Sequence, residues 1–90
     1  MRENVIEAYL RQKVKDLGGI AYKFTSPGNS GVPDRIVLLP GNRTVFVELK
    51  APGKKPTKLQ LAQHRRIQVL GHEVRVIDSR EQVDAWLQEL

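Results

Sequence analysis

Val45-Phe46-Val47-Glu48-Leu49-Lys50, read with Gly31-Val32-Pro33-Asp34-Arg35 upstream, decides the fold. The first stretch is apolar, β-branched and aromatic, the composition of a strand. Strand side chains alternate between faces, so Glu48 and Lys50 point one way and Leu49 the other. A charged pair on one face of such a strand is costly unless something uses it. Asp34 to Leu39 reads as the preceding strand, Pro40-Gly41-Asn42-Arg43 as a turn, and Thr44 to Lys50 as the return. The two strands predict an antiparallel hairpin. Asp34 begins one arm and Glu48 lies near the end of the other, so both carboxylates can reach one ion.

The rest of the chain supports this hairpin. Val5, Ile6, Tyr9, Leu10, Val14 and Leu17 recur at helical spacing, which predicts a helix over residues 3–17, stopped by Gly18-Gly19. Ile20 to Phe24 is a short strand, and Thr25 to Pro33 carries turn signals throughout. Pro33 biases Val32 toward extended backbone. After the Pro-, Gly- and Lys-rich loop Ala51–Pro56, Thr57 is an N-cap for a helix to about Leu70, with Gly71 as its stop. Leu59, Ala62, Ile67, Val69 and Leu70 give that helix a partial apolar face. Glu73 to Ile77 is a strand, and Ser79, with Gln82 in capping-box position, starts a last helix buried through Val83, Trp86, Leu87 and Leu90. The expected fold class is α/β: a single mixed sheet flanked by helices, in the order α-β-β-β-α-β-α, forming one domain over residues 1–90.

Composition narrows the function. Apolar content is ordinary and charge is plentiful, against disorder. No apolar run approaches the roughly 20 residues that span a bilayer. Met1-Arg2-Glu3-Asn4 opens into an amphipathic segment rather than a signal peptide, and cysteine is absent, so a cytoplasmic protein without disulfides or Cys-type zinc sites is expected. The net charge is +5, and from Leu49 to His72 there are six basic residues and no acid. Such a local excess suits a polyanion, nucleic acid above all. A domain this small buries a modest core, so self-association is expected.

Each candidate residue has an ordinary reading. Asp34 alone could cap backbone amides, Glu48 could join a cross-strand ion pair, and Lys50 could be a surface lysine. Together they favour a divalent cation site, because hard cations take one or two carboxylates with water and substrate phosphate. An amine beside such a site can orient or help deprotonate the attacking water and stabilise charge on the attacked phosphate. The small polar loop Ser26–Ser30, with Lys23 before it and Arg35 after, could hold a phosphate, as could Lys54, Lys55 and Lys58 on the other side. The candidate nucleic-acid phosphate contacts are thus Lys23, Ser26, Asn29, Ser30, Arg35, Lys54, Lys55 and Lys58. His64 and His72 lack metal-ligand spacing and are read as non-catalytic. Tyr9 and Trp86 are read as core or dimer contacts.

Gly-Val-Pro-Asp (31–34), a strand, Val-Glu-Leu-Lys-Ala-Pro-Gly (47–53) and a helix carrying Gln60 resemble the VRR-NUC family of the PD-(D/E)XK restriction-endonuclease-like superfamily. The similarity spans nearly the whole chain, and its length looks like the compact stand-alone members of bacteria and phages. The resemblance implies a restriction-endonuclease-like fold and a Mg²⁺- or Mn²⁺-dependent endonuclease. It makes Asp34, Glu48 and the backbone carbonyl of Leu49 metal ligands, Lys50 the catalytic lysine and Gln60 a supporting residue. Gln60 also completes a capping box with Thr57, and both roles can coexist. The first-helix glutamate of the family is assigned to Glu7, a further metal ligand, with Glu3 one turn earlier as the fallback. The resemblance also implies a homodimer that resolves four-way (Holliday) junctions, as in DNA repair. The first and last helices are the expected dimer surface. The alternatives are a flap, nick or duplex nuclease, an RNA nuclease, or a non-catalytic DNA-binding module.

Overall fold

The architecture is set by two strands that no helix interrupts. In the computed structural model, which describes residues 1–90, β2 (Arg35–Leu39) and β3 (Arg43–Leu49) form the expected antiparallel hairpin, with Arg35 opposite Val47 and Leu39 opposite Arg43. Asn42 takes a positive φ of 62°, and Gly41 one of 84°, in the tight reversal between them. The edge strand β1 (Ile20–Lys23) pairs antiparallel with β2, and β4 (Glu73–Ile77) pairs parallel with β3. The sheet order is β1-β2-β3-β4. With α1 (Glu3–Asp16), α2 (Lys58–Val69) and α3 (Arg80–Gln88), the order along the chain is α-β-β-β-α-β-α, as expected.

One face of the sheet carries the core. Ile6, Leu10 and Val14 of α1, four residues apart, are fully buried. They meet Val37, Val45, Val47 and Leu49 of the hairpin, with Ile77 of β4 and Val83 and Trp86 of α3 in the same cluster. The backbone following α1 closes against β2, where a Cβ at Gly19 would sit 2.5 Å from the carbonyl of Leu38. This close approach requires glycine.

The other face is covered by α2 alone, and this corrects the expected packing of that helix. Of the apolar residues assigned to its packing face, Ile67 is half-buried, while Leu59, Val69 and Leu70 are exposed; the one buried side chain of α2 is His64. On α1 and α3 the stripe formed by Ile6, Leu10, Val14, Val83 and Trp86 is spent on the core, while Val5 of α1, and Leu17 and Leu90 just beyond the ends of α1 and α3, are exposed, Leu90 against the expectation that it is buried. Further exposed apolar residues lie on α2 and on β1 and β2, at Ile20, Tyr22 and Leu38. At α3, Ser79 Oγ accepts from the Gln82 amide, but the Gln82 side chain accepts from the Asp78 amide rather than closing the box on Ser79. No helix is long and apolar enough to cross a membrane.

Candidate active site

The hairpin register extends by one step beyond β2. Arg35 faces Val47, so Asp34 faces Glu48, and the Phe24 amide donates to the Asp34 carbonyl at 2.8 Å. Alternation then puts Asp34 and Glu48 on the α2 side, opposite the apolar core. Asp34 does cap an amide: its Oδ2 accepts from the Leu49 N–H at 2.8 Å, which ties it to the strand that carries Glu48.

Glu48 is the unusual residue. It is 1% exposed, a carboxylate placed where the opposite face holds valine and leucine. Burial pushes its carboxyl up to about 8, and the Asp34 carboxylate adds to the shift while Lys50 opposes it. Its oxygens are each engaged by α2. The Gln60 side-chain amide donates to Oε2 at 3.3 Å, and His64 Nε2 lies 3.3 Å from Oε1. His64 is itself 4% exposed, and its own burial lowers its pKa. Gln60 reaches Glu48 because the start of α2 is fixed. Thr57 Oγ1 accepts from the Gln60 amide, and Gln60 Oε1 accepts from the Thr57 amide. The capping box and the bond to Glu48 therefore use different atoms of one side chain.

Lys50 follows Glu48 by two residues and is half-buried, its amide donating to the Ile77 carbonyl at 2.9 Å to prolong the β3–β4 ladder. The first-helix acids divide differently from expectation. Glu7 Oε2 accepts from Arg35 Nε at 2.9 Å, and Arg35 Nη1 also donates to the Ala21 carbonyl. The cause is alternation: Arg35 points to the α1 side of the sheet, where its side chain is only 12% exposed and needs a counter-charge. This places Glu7 in an ion pair and takes Arg35 out of the loop-side group of phosphate contacts. Glu3 is the first-helix acid that senses Asp34 and Lys50; its carboxyl is raised by burial first, then by Asp34.

Ser26 and Asn29 are brought together, Asn29 Nδ2 donating to Ser26 Oγ at 2.9 Å across a turn with Pro27 and Gly28 at its corner. Ser30, Lys23, Lys54, Lys55 and Lys58 are exposed. A Cβ at Gly31 would lie 3.1 Å from the Leu59 carbonyl, so this loop abuts the first turn of α2. Trp86 is core, and the Tyr9 hydroxyl donates to Asp84 at 2.7 Å. His64, read from the sequence as non-catalytic, contacts the Glu48 carboxylate. Its signal was the spacing from Gln60, which puts both on one helix face. No three His, Asp or Glu side chains converge at ligating distance. The site is thus a facing carboxylate pair, one member buried and held from above by an amide and an imidazole, with an amine beside it.

No family model matches the chain. It is 56% identical over 81 residues to "Putative nuclease p44" of Acyrthosiphon pisum secondary endosymbiont phage 1, covering 90% of this chain and 87% of that protein. Among solved structures, a "VRR_NUC domain" superposes with a TM-score of 0.90 at 36% identity, covering 96% of this chain and 94% of the other. A "VRR_NUC domain protein" superposes with a TM-score of 0.75 at 15% identity, covering 98% of this chain and 86% of that one, a likeness of fold.

Proposed function

The chain belongs to the VRR-NUC family, and from that premise we propose that it hydrolyses phosphodiester bonds in DNA with Mg²⁺ or Mn²⁺. We further propose that it acts on branched DNA, four-way junctions first, as a cytoplasmic homodimer. The observation that carries the reading is the buried Glu48 carboxylate facing Asp34 with Lys50 on the same strand.

The residues fit a hard divalent cation. The donors are oxygens, and a carboxyl pushed up to about 8 by burial and a like charge is one that nearby positive charge would ionise. Two converging carboxylates suffice for Mg²⁺, whose shell is completed by water and substrate phosphate. Asp34, Glu48 and the Leu49 carbonyl would hold the ion, which when bound neutralises charge at the phosphate and lowers the pKa of water. Lys50 stabilises charge on the attacked phosphate and orients the water. Gln60 and His64 fix the two oxygens of Glu48 so that its carboxylate does not turn away. Glu3, rather than the Arg35-paired Glu7, borders the site. Lys23, Lys54, Lys55 and Lys58, with Asn29 and Ser30, hold backbone phosphates and position the strand without reading sequence. A two-fold dimer would present two such sites.

The test is cleavage of labelled four-way junction, flap, nicked and linear DNA with Mg²⁺, Mn²⁺ or EDTA, alongside Glu48→Ala and Lys50→Ala. Junction cutting that needs a metal and is lost in both variants is expected. Binding without cutting under either metal would overturn the enzyme. Equal cutting of all four DNAs would overturn the junction preference alone. Sedimentation of the free protein reads the dimer.

A further inference from the structure

The same sheet face carries a second feature that the phosphodiester chemistry leaves unused. Beside the carboxylate pair lies a cleft of about 260 Å³ between the Ser26–Gly31 loop and the second half of α2. Its floor is aromatic. The rings of Phe24 and Phe46 are 5.6 Å apart and tilted by 59°, and both are only half-buried. Phe24 adjoins Asp34 through the backbone hydrogen bond already described, and Phe46 precedes Glu48 by two residues on the same face. The rim is mixed: Asn29, Gln63 and Arg66 supply donors and acceptors, and Leu70, 77% exposed, supplies an apolar lip. One wall is fixed, because the loop is seated on α2 at Gly31 and Leu59. The helix forming the other wall carries Lys58, Arg65 and Arg66 and no acid.

We propose that this cleft holds one unstacked nucleobase of the DNA substrate, a site that rests on the nuclease reading and specifies what the substrate must offer. The chemistry matches a base better than any other part of DNA. Phosphate gains nothing from these phenyl rings and sugar only edge contact, whereas every base has a π-face that stacks on them. The Arg66 guanidinium adds planar, charged contact, and the Gln63 and Asn29 amides meet base edges without demanding one sequence. The cleft is below the roughly 300 Å³ at which drug-sized sites begin, so it suits a single planar ring system. A base inside a continuous duplex cannot enter it. The cleft therefore selects DNA in which a base is already free, at a junction, flap or end, which is structure selection without a recognition helix.

The experiment is an abasic scan. A fluorescent splayed-arm DNA, with a tetrahydrofuran residue at each position around the branch in turn, is titrated with the full chain in EDTA by anisotropy. Base–aromatic stacking contributes on the order of 5- to 150-fold in affinity. The wild type is expected to lose roughly fivefold or more at one position or two adjacent ones, and little elsewhere. Phe24→Leu and, separately, Arg66→Gln are expected to weaken intact DNA and to flatten that position-specific loss. Arg66 is exposed, so its variant keeps the test open should Phe24→Leu disturb folding, which thermal melting reads. A flat wild-type profile with cleavage intact would overturn the base site and leave the nuclease standing. A profile unchanged in both variants would overturn it too, as would variants that alter only the oligomeric state, which would make the cleft a protein contact. Absence of both DNA binding and cleavage would remove the nuclease reading as well.

Discussion

The two faces of the sheet are made from the same four strands, yet they obey different rules. On the α1 and α3 side, Val37, Val45, Val47 and Leu49 are fully buried among apolar helix residues. On the α2 side the alternate residues include Asp34, Glu48 and Phe46, and the covering helix buries only a histidine. Strand alternation lets one hairpin serve both ends: odd positions of β3 hold the molecule together and Glu48, between two of them, is held in place by that rigidity. A small domain has little stability in reserve, so segregating the buried charge from the core limits what the charge can damage.

The comparison is broken most severely at Glu48. Glu48→Gln keeps the shape and the contact with α2 but removes the charge. Cleavage in Mg²⁺ is expected to fall by on the order of 10³-fold, within the range supplied by metal and electrostatic stabilisation. Stability should not fall. Because the folded carboxyl is raised from 4.5 to about 8, the folded state holds a proton that the unfolded chain has released over that interval. Metal-free wild type is therefore expected to lose stability as pH rises from about 4.5 to about 8, and Glu48→Gln to lose less. Melting in EDTA across pH 4–9 checks both. Lys50→Ala should cost on the order of 10²–10⁴ in rate, with DNA affinity nearly kept; single-turnover kinetics against anisotropy separates the two.

On the opposite face the expected signature is reversed. Leu10→Ala opens a cavity in the core and should cost about 2–5 kcal/mol, read as a lower midpoint in urea. Activity per folded molecule, measured well below the melting temperature, should be unchanged. An activity loss in excess of the unfolded fraction would show that the two faces are not separable.

How much of this was legible beforehand follows the same division. The core face was readable because periodicity reports it directly: Ile6, Leu10 and Val14 at helical spacing, and alternate residues of the hairpin. The carboxylate pair was readable because hairpin register puts Asp34 across from Glu48. What the chain did not disclose depended on three-dimensional approach. That Arg35 points to the α1 side follows from alternation, but its choice of Glu7 requires the placement of α1 over β2. The apolar residues of α2 suggested a packed helix, whereas the half-covered sheet face leaves Leu59, Leu61, Val69 and Leu70 in solvent. His64 lacked metal-ligand spacing and so read as non-catalytic. Its burial comes from the way the capped start of α2 aims that face at Glu48.

His64 gives a smaller, sharper probe. His64→Ala removes the contact to Glu48 Oε1, while Gln60 still holds Oε2. Residues that support a metal ligand typically contribute 10–100-fold to metal affinity or activity. The Mn²⁺ concentration for half-maximal cleavage is expected to rise within that range in His64→Ala, and to be partly restored in His64→Gln, which keeps a donor at similar reach. Equal effects of both variants would mean that His64 fills space rather than orienting the carboxylate.

The mildest perturbation, Thr57→Ala, tests whether the two faces communicate at all. The substitution removes the oxygen that accepts from the Gln60 amide but leaves the Thr57 backbone amide that Gln60 Oε1 uses. Loss of an N-cap costs about 1 kcal/mol. If α2 is fastened independently of the core, that cost should appear as faster amide exchange in the first turn of α2, with the α1 and α3 amides unaffected. Cleavage should fall only a few fold, because Gln60 loosens while His64 still holds Glu48. Exchange that rises equally in all three helices would instead mean that the active-site roof and the core unfold as one unit. The segregation of the faces would then be geometric but not energetic.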